Sequence, residues 1–413
     1  MFPASVFRID NGLTLIHQEI STTSVVVADV WVKAGANLEP ESWSGMAHLL
    51  EHMIFKGTET LKAGVFDKTI EFLGGVSNAA TSYDYAHYSL TTASTYLEET
   101  LPLMGELLLN AAIPEAELNQ ERKVVLEEIR QASDNPDWVG FQALFQSVYQ
   151  QHPYGRSVLG SEEKVAKYGV EQLRCFHRKH YQPENITVSI AGGIDSSRTL
   201  DLVNGAFHKF APPCSNYPVM EKATKPILKG IRRQEILLPR IEQARLLMGW
   251  VAPGVEQFRI SYGLDLLSVI LGGGRTSRLV SDLRENRQLV NGIYSSFSLQ
   301  QQSSLFTINA WLDSEHLEQV EELIRVHLQN LISQEITEQE INRAKRLLCN
   351  DYAFSTETPN QLAGLYGYYN TIASAELSVT YPSSIQSFDV KELQWIASKY
   401  LSPNNYAVTI VKA

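Results

Sequence analysis

Cysteine is scarce: Cys175, Cys214 and Cys349 are the only three in 413 residues. They are odd in number, widely spaced and form no Cys-x-x-Cys pair, which excludes a cysteine-built zinc site and points to a reducing compartment. No run of 18 apolar residues occurs, so no membrane-spanning segment is expected. The opening stretch, Met1-Phe-Pro-Ala-Ser-Val-Phe-Arg-Ile-Asp10, lacks a basic segment followed by an apolar one. Export by a standard signal peptide is therefore not expected, and a cytoplasmic or organellar soluble compartment is. Basic residues are outnumbered, 35 against 46, for a net charge of −11. That balance argues against nucleic acid as a partner and suits neutral or cationic peptides. What remains, 44% hydrophobic and 20% charged residues, describes an ordinary globular chain whose length predicts two or three domains.

The most informative stretch is Met46-Ala-His-Leu-Leu-Glu-His-Met-Ile-Phe55. It reads as a helix, with Ser42 or Ser44 available to cap its start, no proline inside and Gly57 to end it. His48 and His52 stand four apart and project from one face, one turn from each other. Two neutral imidazoles in that geometry suit Zn²⁺, and Glu51, one residue before His52, is placed to accept a proton from water there. The order His-x-x-Glu-His inverts the better-known zinc-protease helix motif.

Around this helix the pattern alternates between strand and helix. Val6–Ile9 and Leu13–Ile16 flank an Asp10-Asn-Gly12 turn, and Val25–Val32 is a β-branched strand. Phe66–Leu73 reads as a short helix, and Ser77–Leu90 as one strand whose small residues would let an extended peptide lie alongside. His87 in that strand reads as a cross-strand polar residue rather than a ligand. Residues 96–112, 114–133 and 162–180 read as helices. The second of these carries Glu121, Glu127 and Glu128; Glu121 and Glu128, seven apart, share a face, and Glu127 points elsewhere. A two-histidine zinc helix needs a third protein ligand, which a carboxylate on a neighbouring helix supplies.

Proline and polar residues then mark a linker at 212–229. Across it the chain repeats itself. Lys179–Ile190 matches Lys399–Ile410 at an offset of 220, with Lys, Pro, Asn, Val and Ile in register. More loosely, Leu49-Leu50 and Gly57 match Leu266-Leu267 and Gly274, where Asp265, Ser268 and Val269 replace His48, Glu51 and His52. The expected fold class is α+β: two homologous α/β-sandwich domains related by duplication, each a mostly antiparallel sheet with helices. The expected domains are 1–211, zinc-bearing, and 230–413, without metal ligands.

With these features in view, the chain resembles the pitrilysin-type (insulinase family) zinc peptidases. Its size is closest to the short members related to the mitochondrial processing peptidase beta subunit and to bacterial processing-peptidase-like enzymes. The resemblance runs through Asp10–Leu13, Gly45–Thr58, Asn78-Ala-Ala-Thr81, the Glu121/Glu128 helix, Gly155–Gly160, Tyr181–Asn185 and Leu271–Leu279. It implies His48, His52 and Glu128 as zinc ligands, Glu51 as general base and Glu121 as a carboxylate supporting the ligands. It makes Asn78 and Ala79 the start of the edge strand that receives the substrate backbone, in an enclosed chamber. Active sites of this type are completed by an Arg-x6-Tyr pair from the second half. Here Arg284 is present, but Asn291 stands where the tyrosine belongs and Tyr294 lies three residues beyond. The resemblance thus implies a zinc endopeptidase acting on peptide substrates, with a related subunit supplying the Arg/Tyr pair or, alternatively, a homodimer. A non-catalytic structural or peptide-binding subunit is the competing expectation.

Overall fold

The computed structural model describes residues 2–220, 223–334 and 336–413. The expected linker therefore lies partly outside the described residues, at 221–222. The first half of the chain forms β1 (Ser5–Arg8), β2 (Thr14–Glu19), β3 (Val25–Val32), α1 (Met46–Ile54), α2 (Val65–Phe72), β4 (Val76–Thr81), β5 (Ala86–Ala93), α3 (Leu97–Asn110), α4 (Glu115–Asp134), α5 (Pro136–Tyr149), α6 (Glu162–Val165), α7 (Val170–His180), β6 (Ile186–Gly192) and α8 (Ser196–Ala206). The second forms β7 (Ile231–Leu237), β8 (Ala244–Pro253), α9 (Phe258–Gly272), β9 (Gly292–Ser298), β10 (Ser303–Leu312), α10 (Leu317–Ser333), α11 (Glu338–Phe354), α12 (Pro359–Ile372), α13 (Tyr381–Gln386), α14 (Val390–Tyr400) and β11 (Tyr406–Lys412). Among the described residues no helix is long and apolar enough to cross a membrane.

These elements fall into two compact units, each a sheet with helices, as the fold class anticipates. The first unit has a six-stranded sheet in the order β1-β2-β6-β3-β5-β4. Only β2 and β6 run parallel. Strand alternation in β3 divides the unit into layers. Val26, Ala28, Val30 and Val32 face a core shared with Leu49, Leu50 and Met53 of α1, Leu101 and Leu108 of α3 and Phe176 of α7. Val27 faces the other way, against Ala363 of α12 and Ala191 of β6.

The second unit repeats this plan with five strands, β7-β11-β8-β10-β9, and one parallel pair, β7 with β11. Leu246, Met248 and Trp250 of β8 enter a core with Leu266 and Ile270 of α9, Val320 of α10 and Ile396 of α14. On its opposite face lies α5. A Cβ on Gly140 would come within 2.8 Å of Leu247 Cδ1 and 3.0 Å of Val411 Cγ2, so the helix settles on the sheet only because that side chain is missing.

The units do not coincide with the domains expected at 1–211 and 230–413. One comprises the described residues up to Arg130, from Ser157 to the connector, and Ser355–Val379. The other comprises Gln131–Arg156, Ala223–Phe354 and Thr380–Ala413. Each half thus lends one helix to the other half's sheet: α5 covers β8 and β11, and α12 covers β3 and β6. Tyr366 of α12 donates to Gln18 Oε1 at 2.6 Å, and Asn370 Nδ2 to Thr187 Oγ1 at 2.8 Å.

Local expectations also need correction. Ser77–Leu90 is not one strand but the hairpin β4–β5, turned at residues 82–85, where Ser82 N bonds Tyr85 O and Asn37 Nδ2 holds the buried Asp84 at 2.6 Å. The helix expected over 162–180 is interrupted between α6 and α7. The cysteines are not all reduced: Cys175 of α7 and Cys214 of the connector form a disulfide, with Cα atoms 5.2 Å apart, and Cys349 is free. They stand 39 positions apart, so no local spacing announces the pair; only the folding of the connector back onto α7 brings them together.

Candidate zinc peptidase site

The helix α1 begins abruptly. Gly45 has φ +90°, and a Cβ there would lie 2.7 Å from Gly160 Cα, so the start of the helix is wedged against another glycine loop. Neither Ser42 nor Ser44 caps it. The buried Glu39 does so instead, its two carboxylate oxygens accepting Gly45 N at 2.9 Å and Ala47 N at 2.7 Å. A negative charge at a helix N-terminus satisfies orphan amides and complements the macrodipole.

From this fixed start His48 and His52 project together, their rings 4.9 Å apart. Burial pushes the His48 pKa down to about 4, with the His52 charge acting in the same direction. His48 is thus a neutral imidazole near pH 7, and its closeness to Glu128 is not an ion pair. The carboxylates come from α4, whose inner face is Leu118, Glu121, Val125 and Ile129. Glu128 Oε2 lies 3.6 Å from His48 Nε2 and 3.5 Å from His52 Nε2. Glu127 turns to solvent beside Arg130.

Glu121 sits behind the site. Its Oε2 lies 3.1 Å from His52 Nδ1, and its Oε1 meets Lys56 Nζ at 2.6 Å. A carboxylate only accepts, so His52 donates from Nδ1, which leaves Nε2 as the nitrogen turned toward Glu128. His48 Nδ1 has no hydrogen-bond partner among the described residues. Glu51, on the same helix, accepts a 2.6 Å hydrogen bond from Thr81 Oγ1. Burial raises the Glu51 pKa, partly offset by that hydrogen bond.

The donor set fits zinc. His48, His52 and Glu128 each offer a ligand atom, all within 4.8 Å of one another. The edge of a tetrahedron with bonds of 2.0–2.1 Å is about 3.4 Å, close to the two nitrogen–oxygen separations seen here. Three protein ligands leave a fourth direction open, the arrangement of catalytic rather than structural zinc.

Of the substrate-binding candidates, Asn78 and Ala79 lie on β4, which pairs with β5 on one side and ends the sheet on the other. Arg284 belongs to the second unit, where Glu285 Oε1 holds its Nε at 2.9 Å. Asn291 N bonds Trp311 O at 2.8 Å just ahead of β9. Tyr294 stacks on Trp311, ring centroids 5.4 Å apart at 29°. His87 is the cross-strand residue expected, 3.2 Å from Asp29 Oδ2 and stacked on Trp31. The sequence assigns no role to Thr81, Lys56 or Glu39, although the first two lie within motifs that carry the resemblance. Lys56 carries a faint signal, four residues beyond His52 and so on the same helical face, whereas Thr81 and Glu39 depend on contacts that only the fold creates.

Residues 14–162 match the family model described as Insulinase (Peptidase family M16), and residues 167–348 the model described as Peptidase M16 inactive domain. The chain belongs to the insulinase family. A zinc protease of Helicobacter pylori named PqqE is 29% identical over 410 residues, covering 97% of this chain and 91% of its own length. YmxG of Bacillus subtilis, named an uncharacterized zinc protease, is 29% identical over 360 residues, 86% of this chain and 85% of its own. The crystal structure of a protease from Helicobacter pylori superposes with a TM-score of 0.92 at 27% identity, covering 99% of both chains. The family is one of zinc-dependent proteases, and its inactive-domain model falls largely where this chain has Asp265, Ser268 and Val269 in place of the histidine motif. There Asp265 is partly buried, its pKa pushed up to about 6 by desolvation, and Tyr381 donates to it.

Proposed function

We propose that this chain is a zinc endopeptidase that hydrolyses peptides or unfolded segments in an enclosed chamber, and that it is the metal-bearing member of a pair. The observation that supports it best is the convergence of His48, His52 and Glu128, with Glu51 beside them on α1. His48, His52 and Glu128 would hold the ion, and Glu121 would keep His52 in the ligating tautomer. At such a site zinc supplies Lewis-acid polarisation of the scissile carbonyl and makes water acidic enough to be deprotonated near neutral pH. Glu51 takes the proton of the attacking water and passes it to the leaving amine. The substrate backbone adds to the free edge of β4, running past Asn78 and Ala79 through main-chain hydrogen bonds that ask little of sequence.

The pairing rests on Asn291. An amide there offers no phenol to the oxyanion, and Tyr294, three residues on, is already stacked on Trp311. Losing one such donor costs roughly 10²–10³ in rate, so the chain alone is expected to be very slow even with zinc loaded. A related subunit with an intact Arg-x6-Tyr stretch is expected to restore turnover. If instead the chain alone is fast and Tyr294→Phe abolishes that activity, a shifted tyrosine replaces the pair. The alternative of a purely structural or peptide-binding subunit is disfavoured by the intact ligand set. The Cys175–Cys214 disulfide supports an oxidising compartment rather than the cytoplasm.

The deciding experiment is Glu51→Gln, assayed for zinc content and for cleavage of a quenched peptide, with and without a partner subunit. Zinc is expected to stay and hydrolysis to go. Near-normal turnover would remove Glu51 from the mechanism.

A further inference from the structure

The hydrogen bond from Thr81 Oγ1 to Glu51 Oε2 joins the last residue of β4 to the zinc helix. We propose that Thr81 is a positioning residue for Glu51, and that it ties alignment of the base to occupation of the β4 edge. The inference rests on the reading of Glu51 as general base given above.

Among the described residues no other hydrogen bond reaches the Glu51 side chain. A glutamate has three rotatable bonds, and fixing them costs rotamer entropy that a single strong contact must offset. The short bond from the Thr81 hydroxyl is that contact. It occupies Oε2 and leaves Oε1 free to receive a proton from water. A β-branched residue is well suited to the task, because its χ1 is nearly fixed by the backbone and its hydroxyl is aimed by the strand itself.

The strand, however, is secured on one side only. Thr81 pairs with Ala86 at the end of the β4–β5 ladder, immediately before the turn at 82–85, and the opposite edge of β4 is open. A peptide laid along that edge adds a second row of main-chain hydrogen bonds and holds the Thr81 backbone from both sides. Glu51 is therefore best aligned when the edge is filled. Peptides long enough to span β4 should then show a higher kcat, not merely a lower KM, than peptides covering only the scissile bond.

The test uses Thr81→Val, which keeps the shape and branching but loses the donor, and Thr81→Ser, which keeps the donor. Hydrogen bonds to charged groups predict that kcat falls about 10- to 100-fold in Thr81→Val. KM, zinc content and thermal midpoint are expected to hold, and Thr81→Ser to recover most of the rate. The kinetics are run on the active form, chain alone or assembled pair. A crystal structure of the Thr81→Val chain supplies an activity-free readout, in which the Glu51 carboxylate is expected to leave its place or spread over several rotamers. An unchanged kcat, or an unmoved single Glu51 conformer, overturns the inference. Glu51→Gln separates the two levels. If it remains active, the base assignment fails and Thr81 with it; if it is dead while Thr81→Val is normal, only the positioning role fails.

Discussion

At the residue scale the site divides into groups the sequence declares and groups it conceals. His48 and His52 declare themselves because helical periodicity alone fixes their relation. Glu128 is named by the family resemblance, its helical face setting it apart from Glu127 but not from Glu121, and its Oε2 lies 3.6 and 3.5 Å from the two imidazole nitrogens. Thr81 stays hidden because its contact joins residues 30 apart in the chain through the end of a hairpin. The two glutamates of α4 should differ in effect. Glu128→Gln is expected to abolish tight zinc binding in a chelator competition, whereas Glu121→Gln should weaken it about 10- to 100-fold through His52 orientation. Glu127→Gln should bind as the unmodified chain does; a loss there equal to that of Glu128→Gln would refute the assignment of faces.

Two other histidines carry a pH dependence that has nothing to do with metal. His177 and His180 of α7 are buried, and desolvation lowers both pKa values to about 4. Above pH 6.5 they are neutral whether the chain is folded or not. Between 6.5 and 4 the unfolded chain takes up protons that the folded chain refuses, so stability falls as pH falls, on the order of 2 kcal/mol per histidine by pH 5. Below 4 their contribution is flat. Urea midpoints at pH 7 and 5 for the unmodified chain and for His177→Gln test this. The pH sensitivity should shrink in the variant, and an equal slope in both would show that His177 is not its source.

At the element scale, α1 illustrates how a motif can be legible while its support is not. The serines before the helix are plausible caps by composition, yet Glu39 takes the role because its carboxylate reaches two amides at once. Glu39→Ala strips both of a charged acceptor and should cost about 1.5–3 kcal/mol. A lower thermal midpoint together with weaker zinc retention is the expected result, and Ser44→Ala should be near neutral by comparison. The hairpin β4–β5 is illegible in the sequence for a related reason. The run from Ser77 to Leu90 holds no glycine or proline to announce a turn, and the turn is marked by Asp84, whose partner Asn37 lies 47 residues earlier.

At the scale of the molecule, the duplication was plain and its exchange of helices was not. The offset of 220 between Lys179–Ile190 and Lys399–Ile410 is visible in letters. Which of two related sheets an amphipathic helix covers is not, since both present similar apolar faces. The pairing is nonetheless lawful: Gly140 lies on Leu247 and Val411, and Ala363 on Val27 and Ala191, so each lent helix meets the corresponding pair of strands, β8 and β11 or β3 and β6, through a small residue. The disulfide belongs to this scale too. It closes a 39-residue separation and anchors the connector to α7; on chain-entropy grounds its loss should cost about 4 kcal/mol. Cys175→Ser with Cys214→Ser, or reduction, is expected to lower the thermal midpoint of the first unit, and an unchanged midpoint would mean the bond adds nothing.

The lent helices change what a fragment of this gene can be. A break in the connector yields two polypeptides, neither of which holds the parts of one finished sandwich. Residues 1–211 retain α5 without the sheet it covers and lack α12, and residues 230–413 stand in the mirror predicament. Expressed singly, each should be insoluble; produced together, they should reassemble without a peptide bond between them. The chain is then expected to behave as a split protein, and a protease that nicks its connector should leave both sandwiches folded.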